Sequence, residues 1–181
     1  DCSTDDTYDL ACASAQSDCR IRVFRNGENK GPGPSRNRAV QKASGRYIAF
    51  LDSDDIWAPE KLERQLRHIE QTKAPLVFSS YGTIDEYGNK IDRIVGAPDS
   101  VSYAQLLENT VIGCLTVLVD RQRVPALEMP AIPSRQPLVL WLRILRECGP
   151  ARGLDKVLAY YRIRPGSVSG NKMKAARQVW R

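Results

Sequence analysis

Asp52, Asp54 and Asp55 hold the densest chemistry in the chain: three carboxylates among four residues, directly after the apolar run Tyr47-Ile48-Ala49-Phe50-Leu51. Carboxylates this close repel one another unless a cation lies between them. Hard divalent ions such as manganese or magnesium accept oxygen ligands of this kind and leave places for phosphate oxygens and water. If the extended geometry of the run continues, Asp52 and Asp54 point to the same side. The string Asp-Ser-Asp-Asp is also ordinary turn and helix-start chemistry. The residues alone therefore leave a metal site and a plain turn as alternatives.

Several elements must position these acids. Residues 47–51 are apolar on both faces, as in a parallel strand covered on both sides, and α/β sheets bind ligands at the carboxyl ends of such strands. Ahead of the run lies a loop rich in Gly, Pro and Asn, residues 26–34, which lacks the Walker A spacing. Pro34 suits the first position of a helix that stops at Gly45 and carries Ser35, Arg36, Asn37 and Arg38. Arg36 there can meet a nucleotide's base or phosphates, or simply be solvated. After the acids, Pro59 opens a helix whose apolar stripe is Leu62, Leu66 and Ile69, with His68 off that stripe and at the surface.

The remaining pattern alternates helices and strands. Ser3 and Asp6 form a capping-box pair for a helix to about residue 16. Residues 20–24 alternate as a short strand. Residues 76–78 and 91–95 flank a turn at Glu86-Tyr87-Gly88-Asn89. Ser102 caps a short helix to about Glu108, and residues 117–119 are a further strand. Residues 137–148, started by Pro137 and stopped by Gly149, are apolar nearly all round and predict a buried helix. Residues 157–163 are the last strand.

The length, 181 residues, suits one domain with a substantial core. The net charge of +6 is matched by the six Lys or Arg, with no acid, between Tyr161 and Arg181. That basic end either faces phosphates or an anionic membrane surface, or is solvated. Five scattered cysteines without C-x-x-C, and a single histidine, exclude a disulfide framework, a zinc site and a histidine-rich metal cluster. A reduced cytoplasmic setting follows. Nothing in the sequence reads as a transmembrane span or a signal peptide.

Taken together, three segments resemble a known family: Glu28-Asn29-Lys30-Gly31-Pro32-Gly33-Pro34-Ser35-Arg36-Asn37, Gly45-Arg46-Tyr47-Ile48-Ala49-Phe50-Leu51-Asp52-Ser53-Asp54-Asp55, and Trp57-Ala58-Pro59-Glu60-Lys61-Leu62. They are similar to family-2 glycosyltransferases of GT-A fold. Ile112-Gly113-Cys114, Trp141-Leu142-Arg143, Gly153-Leu154-Asp155, Tyr161-Arg162-Ile163 and residues 167–172 are similar to bacterial members that build cell-surface polysaccharides. A phosphatase of the haloacid-dehalogenase kind also sets D-x-D after an apolar strand. It needs Thr or Val two residues after the second Asp, where Ile56 stands.

The resemblance implies an α/β fold, a Rossmann-like three-layer GT-A sandwich with a mainly parallel sheet. It implies one such domain over residues 1–170 and a basic helix or tail over 171–181. It implies transfer of a sugar from a nucleotide-sugar, of the UDP type, to a cell-envelope polysaccharide or glycolipid acceptor, metal-dependent and with inversion. Asp52 and Asp54 become the D-x-D pair holding Mn2+ or Mg2+. Asp1, Ser3, Arg36, Asn37, Asp52 and Ser53 become the nucleotide-sugar contacts. The implied partners are that donor and a glycan or lipid-linked acceptor, with no nucleic acid. The implied location is cytoplasmic, with the basic C-terminus peripheral on the inner face of the membrane.

Three departures from the family pattern stand out. The chain opens inside the family's D-D-G-S motif, so the usual first strand-helix-strand is absent from it and an N-terminally truncated piece is expected. Cys2 replaces the glycine of that motif, which is costly if φ is positive there. The family places its base, an Asp, four residues before the buried Trp141, and Pro137 stands in that position after Gln136. A proline side chain moves no proton. Asp85 and Asp155 are the other acids considered for that task, and a non-catalytic relic or binding module is the alternative function.

Overall fold

A computed structural model describes residues 1–164. In chain order the elements are α1 (Thr7–Ser17), α2 (Pro32–Lys42), β1 (Tyr47–Ile48), β2 (Ile56–Trp57), α3 (Lys61–Thr72), β3 (Leu76–Ile84), β4 (Lys90–Val95), β5 (Ser100–Val101), α4 (Tyr103–Glu108), β6 (Leu118–Asp120), α5 (Gln136–Cys148) and β7 (Ala151–Arg162). A 3-10 turn, Cys114–Thr116, precedes β6. The sheet runs β1-β6-β3-β7-β2, with β4 beside β3 and β5 beside β7.

The core follows from alternation along β3 and β6. Leu76 and Phe78 pack into one cluster with Leu140, Trp141, Ile144 and Leu145 of α5 and with Val117 and Val119. Val77 and Leu118 point the other way and pack with Ile69 of α3. Helices on both faces of one sheet make three layers, as expected for an α/β fold. Residues 47–50 are covered on both sides: Ile48 and Phe50 join the α5 cluster, while Tyr47 and Ala49 lean on the α3 cluster, and Leu51, which ends the run, is 48% exposed. The Phe50 and Trp141 rings lie 6.0 Å apart, tilted by 55°, so α5 braces the run that ends at Asp52.

Several expectations need correction. The sheet is mixed, not mainly parallel: among the described strands only β3 and β7 pair parallel, and β1, β2, β4, β5 and β6 all pair antiparallel. An apolar run reports burial and is silent on direction, and β1 pairs antiparallel with β6. The parallel pair is also the one joined through helices, as crossover connections require. Residues 20–24 form no strand, because no described strand lies beside them to take their hydrogen bonds. The capping box at Ser3 is absent. Helix α1 begins after Asp6, and Asp5 Oδ1 accepts from Thr7 N at 3.1 Å instead. Helix α2 begins at Pro32, two residues early, behind Gly31 at φ 81°. Helix α3 turns Lys61, Gln65 and Ile69 to the sheet, leaving Leu62 and Leu66 42% and 37% exposed. Ser102 caps α4 as expected, here through a reciprocal capping box with Gln105, and the β3–β4 hairpin forms as expected. The proposed tail and residues 167–172 lie outside the described residues.

Candidate functional site

The acids are gathered by a turn, not by strand alternation. Asp55 N donates to Asp52 O at 3.1 Å, which closes a turn over Ser53 and Asp54 directly after Leu51. The charges interact. Burial, with help from Asp54 and Asp52, pushes the Asp55 carboxyl up to about 6, against the N–H that Arg162 donates to it.

Helix α2 brings Arg36 to this turn. Its Nη2 donates to both oxygens of Asp52, at 2.5 and 2.6 Å, and the Arg36 side chain is only 16% exposed. Two residues singled out separately in the sequence are thus one ion pair. The Asp54 carboxylate accepts no hydrogen bond and forms no ion pair among the described residues. Cys114 lies close enough to feel Arg36, Asp52 and Asp55, and burial pushes its thiol up to about 12. It is therefore a neutral, small apolar neighbour at ordinary pH.

No group of three or more His, Cys, Asp or Glu side chains set to hold a metal occurs among the described residues. The donor set fits a hard cation in one way only. Asp54 is open, Asp52 is shared with Arg36, and phosphate oxygens and water must complete the shell.

The other singled-out residues scatter around α2. Asp1 Oδ1 accepts from Asn26 Nδ2 and from Lys30 N, both at 2.9 Å, and Asn26 Nδ2 also reaches Ser35 Oγ. Ser3 O accepts from Arg25 Nη2 at 3.4 Å. This network ties the start of the chain to the loop before α2. Cys2 does sit at φ 57°, the left-handed region that favours the family's glycine. Ser53 is exposed at the tip of the turn. Both amide atoms of Asn37 are engaged by Met129: its Nδ2 donates to Met129 O at 2.9 Å and its Oδ1 accepts from Met129 N at 2.7 Å. It fastens α2 to the segment before α5.

At the start of α5, Gln136 is buried, donates to Ile132 O and packs against Gly33, where a Cβ would come within 3.1 Å of it. Pro137 follows it, half-buried. The two other acids considered in the sequence are both engaged in hydrogen bonds. Asp85 Oδ1 accepts from Tyr87 N and Asn89 N inside the hairpin turn, and the Asn89 side chain leads in holding its carboxyl below the usual range. Asp155 accepts from Ser80 Oγ at 2.7 Å within the sheet.

Two features escaped the sequence. Trp57 Nε1, Gln65 Nε2 and Lys61 Nζ donate to the successive carbonyls of Leu115, Thr116 and Val117, at 2.8, 2.6 and 3.4 Å. They hold the 3-10 turn that carries Cys114 under the Arg36–Asp52 pair. The signal was present: a Lys and a Gln four apart, followed by Ile69, mark the face that binds carbonyls. The other is a contact of Arg162, a residue already marked within Tyr161-Arg162-Ile163: its Nε donates to Asp54 O at 2.7 Å, which the sequence does not show.

Comparison with known proteins places the chain in a family. The family model described as "Glycosyl transferase family 2" matches residues 1–114, which contain α2, the acidic turn and the 3-10 turn up to Cys114. TuaG of Bacillus subtilis (strain 168), a glycosyltransferase named for teichuronic acid biosynthesis, is 42% identical over 180 residues, covering 99% of this chain and 71% of TuaG. WfaP of Escherichia coli, named as a UDP-Glc:alpha-D-GlcNAc-diphosphoundecaprenol beta-1,3-glucosyltransferase, is 38% identical over 174 residues, covering 96% of this chain and 67% of WfaP. The crystal structure of residues 1–349 of S. aureus TarS in complex with UDP-GlcNAc superposes with a TM-score of 0.73 at 20% identity, covering 94% of this chain. The chain spans about half the length of that TarS chain, 50%. The TarS likeness gives the GT-A fold. The family model and the identity to TuaG and WfaP, over nearly all of the residues here, give the lineage: the chain belongs to glycosyl transferase family 2.

Proposed function

We propose that the chain binds a nucleotide-sugar of the UDP type for transfer, with inversion, to a lipid-linked or cell-surface glycan acceptor. The observation that carries this reading is the Asp54 carboxylate, without a partner among the described residues, beside the Arg36–Asp52 ion pair on a turn that follows the run 47–51. WfaP's name specifies UDP-Glc and a diphosphoundecaprenol-linked acceptor, and TarS was crystallised with UDP-GlcNAc, which supports the same donor and acceptor classes here. Asp54 and Asp52 would hold Mn2+ or Mg2+, which when bound offsets charge developing on the departing diphosphate. Arg36 places a buried cationic head at the same point, where it steadies Asp52 and faces the negative end of the donor. Asp1 and Ser3 take the nucleoside side, Ser53 contacts the donor from the tip of the turn, and Asn37 keeps α2, and with it Arg36, in place. Among the described residues no helix is long and apolar enough to cross a membrane. A peripheral location on the inner membrane face is part of this proposal.

A second reading has its own support. The first turn of α5 offers Gln136 and Pro137 where the family has its acid, so a module that binds donor without transferring sugar is the alternative. Calorimetric titration with UDP tests what both readings share. Binding in Mn2+ that weakens at least tenfold in EDTA is expected; absent or metal-indifferent binding overturns the donor-site assignment. Sugar transfer by this chain, lost in Asp54→Ala, would dispose of the second reading.

A further inference from the structure

We propose that Arg162 is the positioning residue of the cation site. It would set the aim of Asp54 and Asp55 without touching donor or metal. The inference rests on the donor-binding reading above.

The geometry is a four-way joint. Arg162 ends β7, where it pairs with Ile84 at the end of β3. Its Nε donates to Asp54 O at 2.7 Å, and its Nη1 donates to Asp85 O at 3.0 Å and Glu86 O at 3.1 Å. Its backbone N–H donates to Asp55 Oδ1 at 3.0 Å. One residue thus binds the main chain of Asp54 and the side chain of Asp55, and ties both to the β3–β4 hairpin. Guanidinium suits this task because it is planar, always charged and carries donors in a fixed fork. An ammonium reaches one carbonyl well and loses the fork.

The acceptors are themselves rigid. The turn bearing the Asp85 and Glu86 carbonyls is closed by the Asp85 carboxylate, which accepts from Tyr87 N, Asn89 N and Asn89 Nδ2. Gly88 sits at φ 92°, and a Cβ there would approach Arg162 Nη1 at 3.8 Å. On the other flank, β2 follows Asp55 at once and pairs with Tyr160 and Ala159 of β7. The second half of the acidic turn is therefore fixed to β7 on both sides of Asp55. Its first half is held separately, by Arg36 on Asp52. Removing Arg162 frees the Asp54 main chain while leaving the Arg36–Asp52 pair intact. A contact with the donor's phosphates, the other role open to a basic residue at this end of the chain, predicts a different outcome.

The test is calorimetry on wild type, Arg162→Lys and Arg162→Gln, with thermal melting to establish folding and Arg164→Ala as an exposed basic control. Each protein is titrated with UDP in EDTA, with Mn2+ alone, and with Mn2+ in saturating UDP. Both Arg162 substitutions are expected to weaken Mn2+ binding in saturating UDP about tenfold or more, Gln more than Lys, with UDP binding in EDTA within twofold of wild type. Arg164→Ala is expected to match wild type. Equal loss of UDP binding with and without metal would overturn the inference in favour of a direct phosphate contact. Unchanged Mn2+ binding in folded Arg162→Gln, or, if that variant does not fold, in Arg162→Lys, would overturn it outright. Failure of the wild type to bind UDP with Mn2+ strikes the donor reading instead.

Discussion

Lys61 is fully buried with no acid beside it. Its amine lies 4.2 Å from the centre of the Trp57 ring and donates to Gln65 Oε1 at 2.6 Å and to Val117 O. Burial pulls it down from 10.5 to about 7. Between those values the unfolded chain binds more protons than the folded one, so this group's contribution to stability rises with pH across that window. Below pH 7 the fold carries a charged amine in its interior. Lys61→Met keeps the length of the side chain and removes the charge. Its stability relative to wild type is expected to be most favourable at pH 6 and to decline by about 2 kcal/mol by pH 9. The lost hydrogen bonds add an offset that cancels between the two conditions. Urea unfolding at both pH values measures the difference, and a pH-independent offset would count against a neutral amine in the folded state. A buried amine retained at this cost makes sense if its bond to the 3-10 turn matters for Cys114 and the Arg36–Asp52 pair above it.

At the scale of elements, the buried helix α5 shows what sequence patterns carry and what they omit. Its start near Pro137, its stop at Gly149 and the burial of one face were legible from composition, because proline, glycine and an apolar run each act locally, although Val139 in its first turn is 41% exposed. The buried face of α3 departs from its hydrophobic stripe because a hydrophobic count cannot see that the carbonyls of Leu115, Thr116 and Val117 need donors. The strand over 20–24 failed because strands need neighbours, which periodicity does not report. The three acids were legible as a cluster, and so was the strain at Cys2, but the turn that gathers the acids and the Arg36–Asp52 pairing are products of long-range packing. The first turn of α5 also yields a direct prediction. Pro137→Asp places a carboxylate where the family carries one, at a helix N-terminus that favours negative charge. In a protein that binds donor, transfer is expected to rise by about a hundredfold, the lower end of what general-base help contributes. The gain should appear in kcat with donor binding unchanged. No gain, measured by sugar transfer to a lipid-linked acceptor, would sink the explanation that a missing base limits this chain.

Across the whole molecule, order is concentrated around the β3–β7 pair. These strands are parallel neighbours from Val77 and Arg152 to Ile84 and Arg162, and both three-layer faces pack on them. The first thirty-odd residues are organised differently. Helix α1 has no buried residue and exposes Leu10 by 68%, and Ile21 and Phe24 are exposed as well. That segment is held chiefly by polar contacts at its ends, such as Asp1 to Asn26 and Arg22 Nη1 to Lys42 O. Few apolar contacts and solvated backbone hydrogen bonds place it at the low end of local stability. Amides of α1 are therefore expected to exchange with deuterium orders of magnitude faster than those of β3 and β7 in the chain as it stands here. Among the described residues, trypsin should cut first at Arg20, Arg22 or Arg25 and leave a fragment containing α2 to β7 folded. Occupying the donor site should slow both processes, since Asp1 and Ser3 belong to the proposed nucleoside side and are tied to the loop that leads into α2. Exchange in α1 as slow as in β3, measured by mass spectrometry without ligand, would show that apolar packing holds this segment after all. Protection confined to the acidic turn on adding UDP and Mn2+ would remove Asp1 and Ser3 from the site.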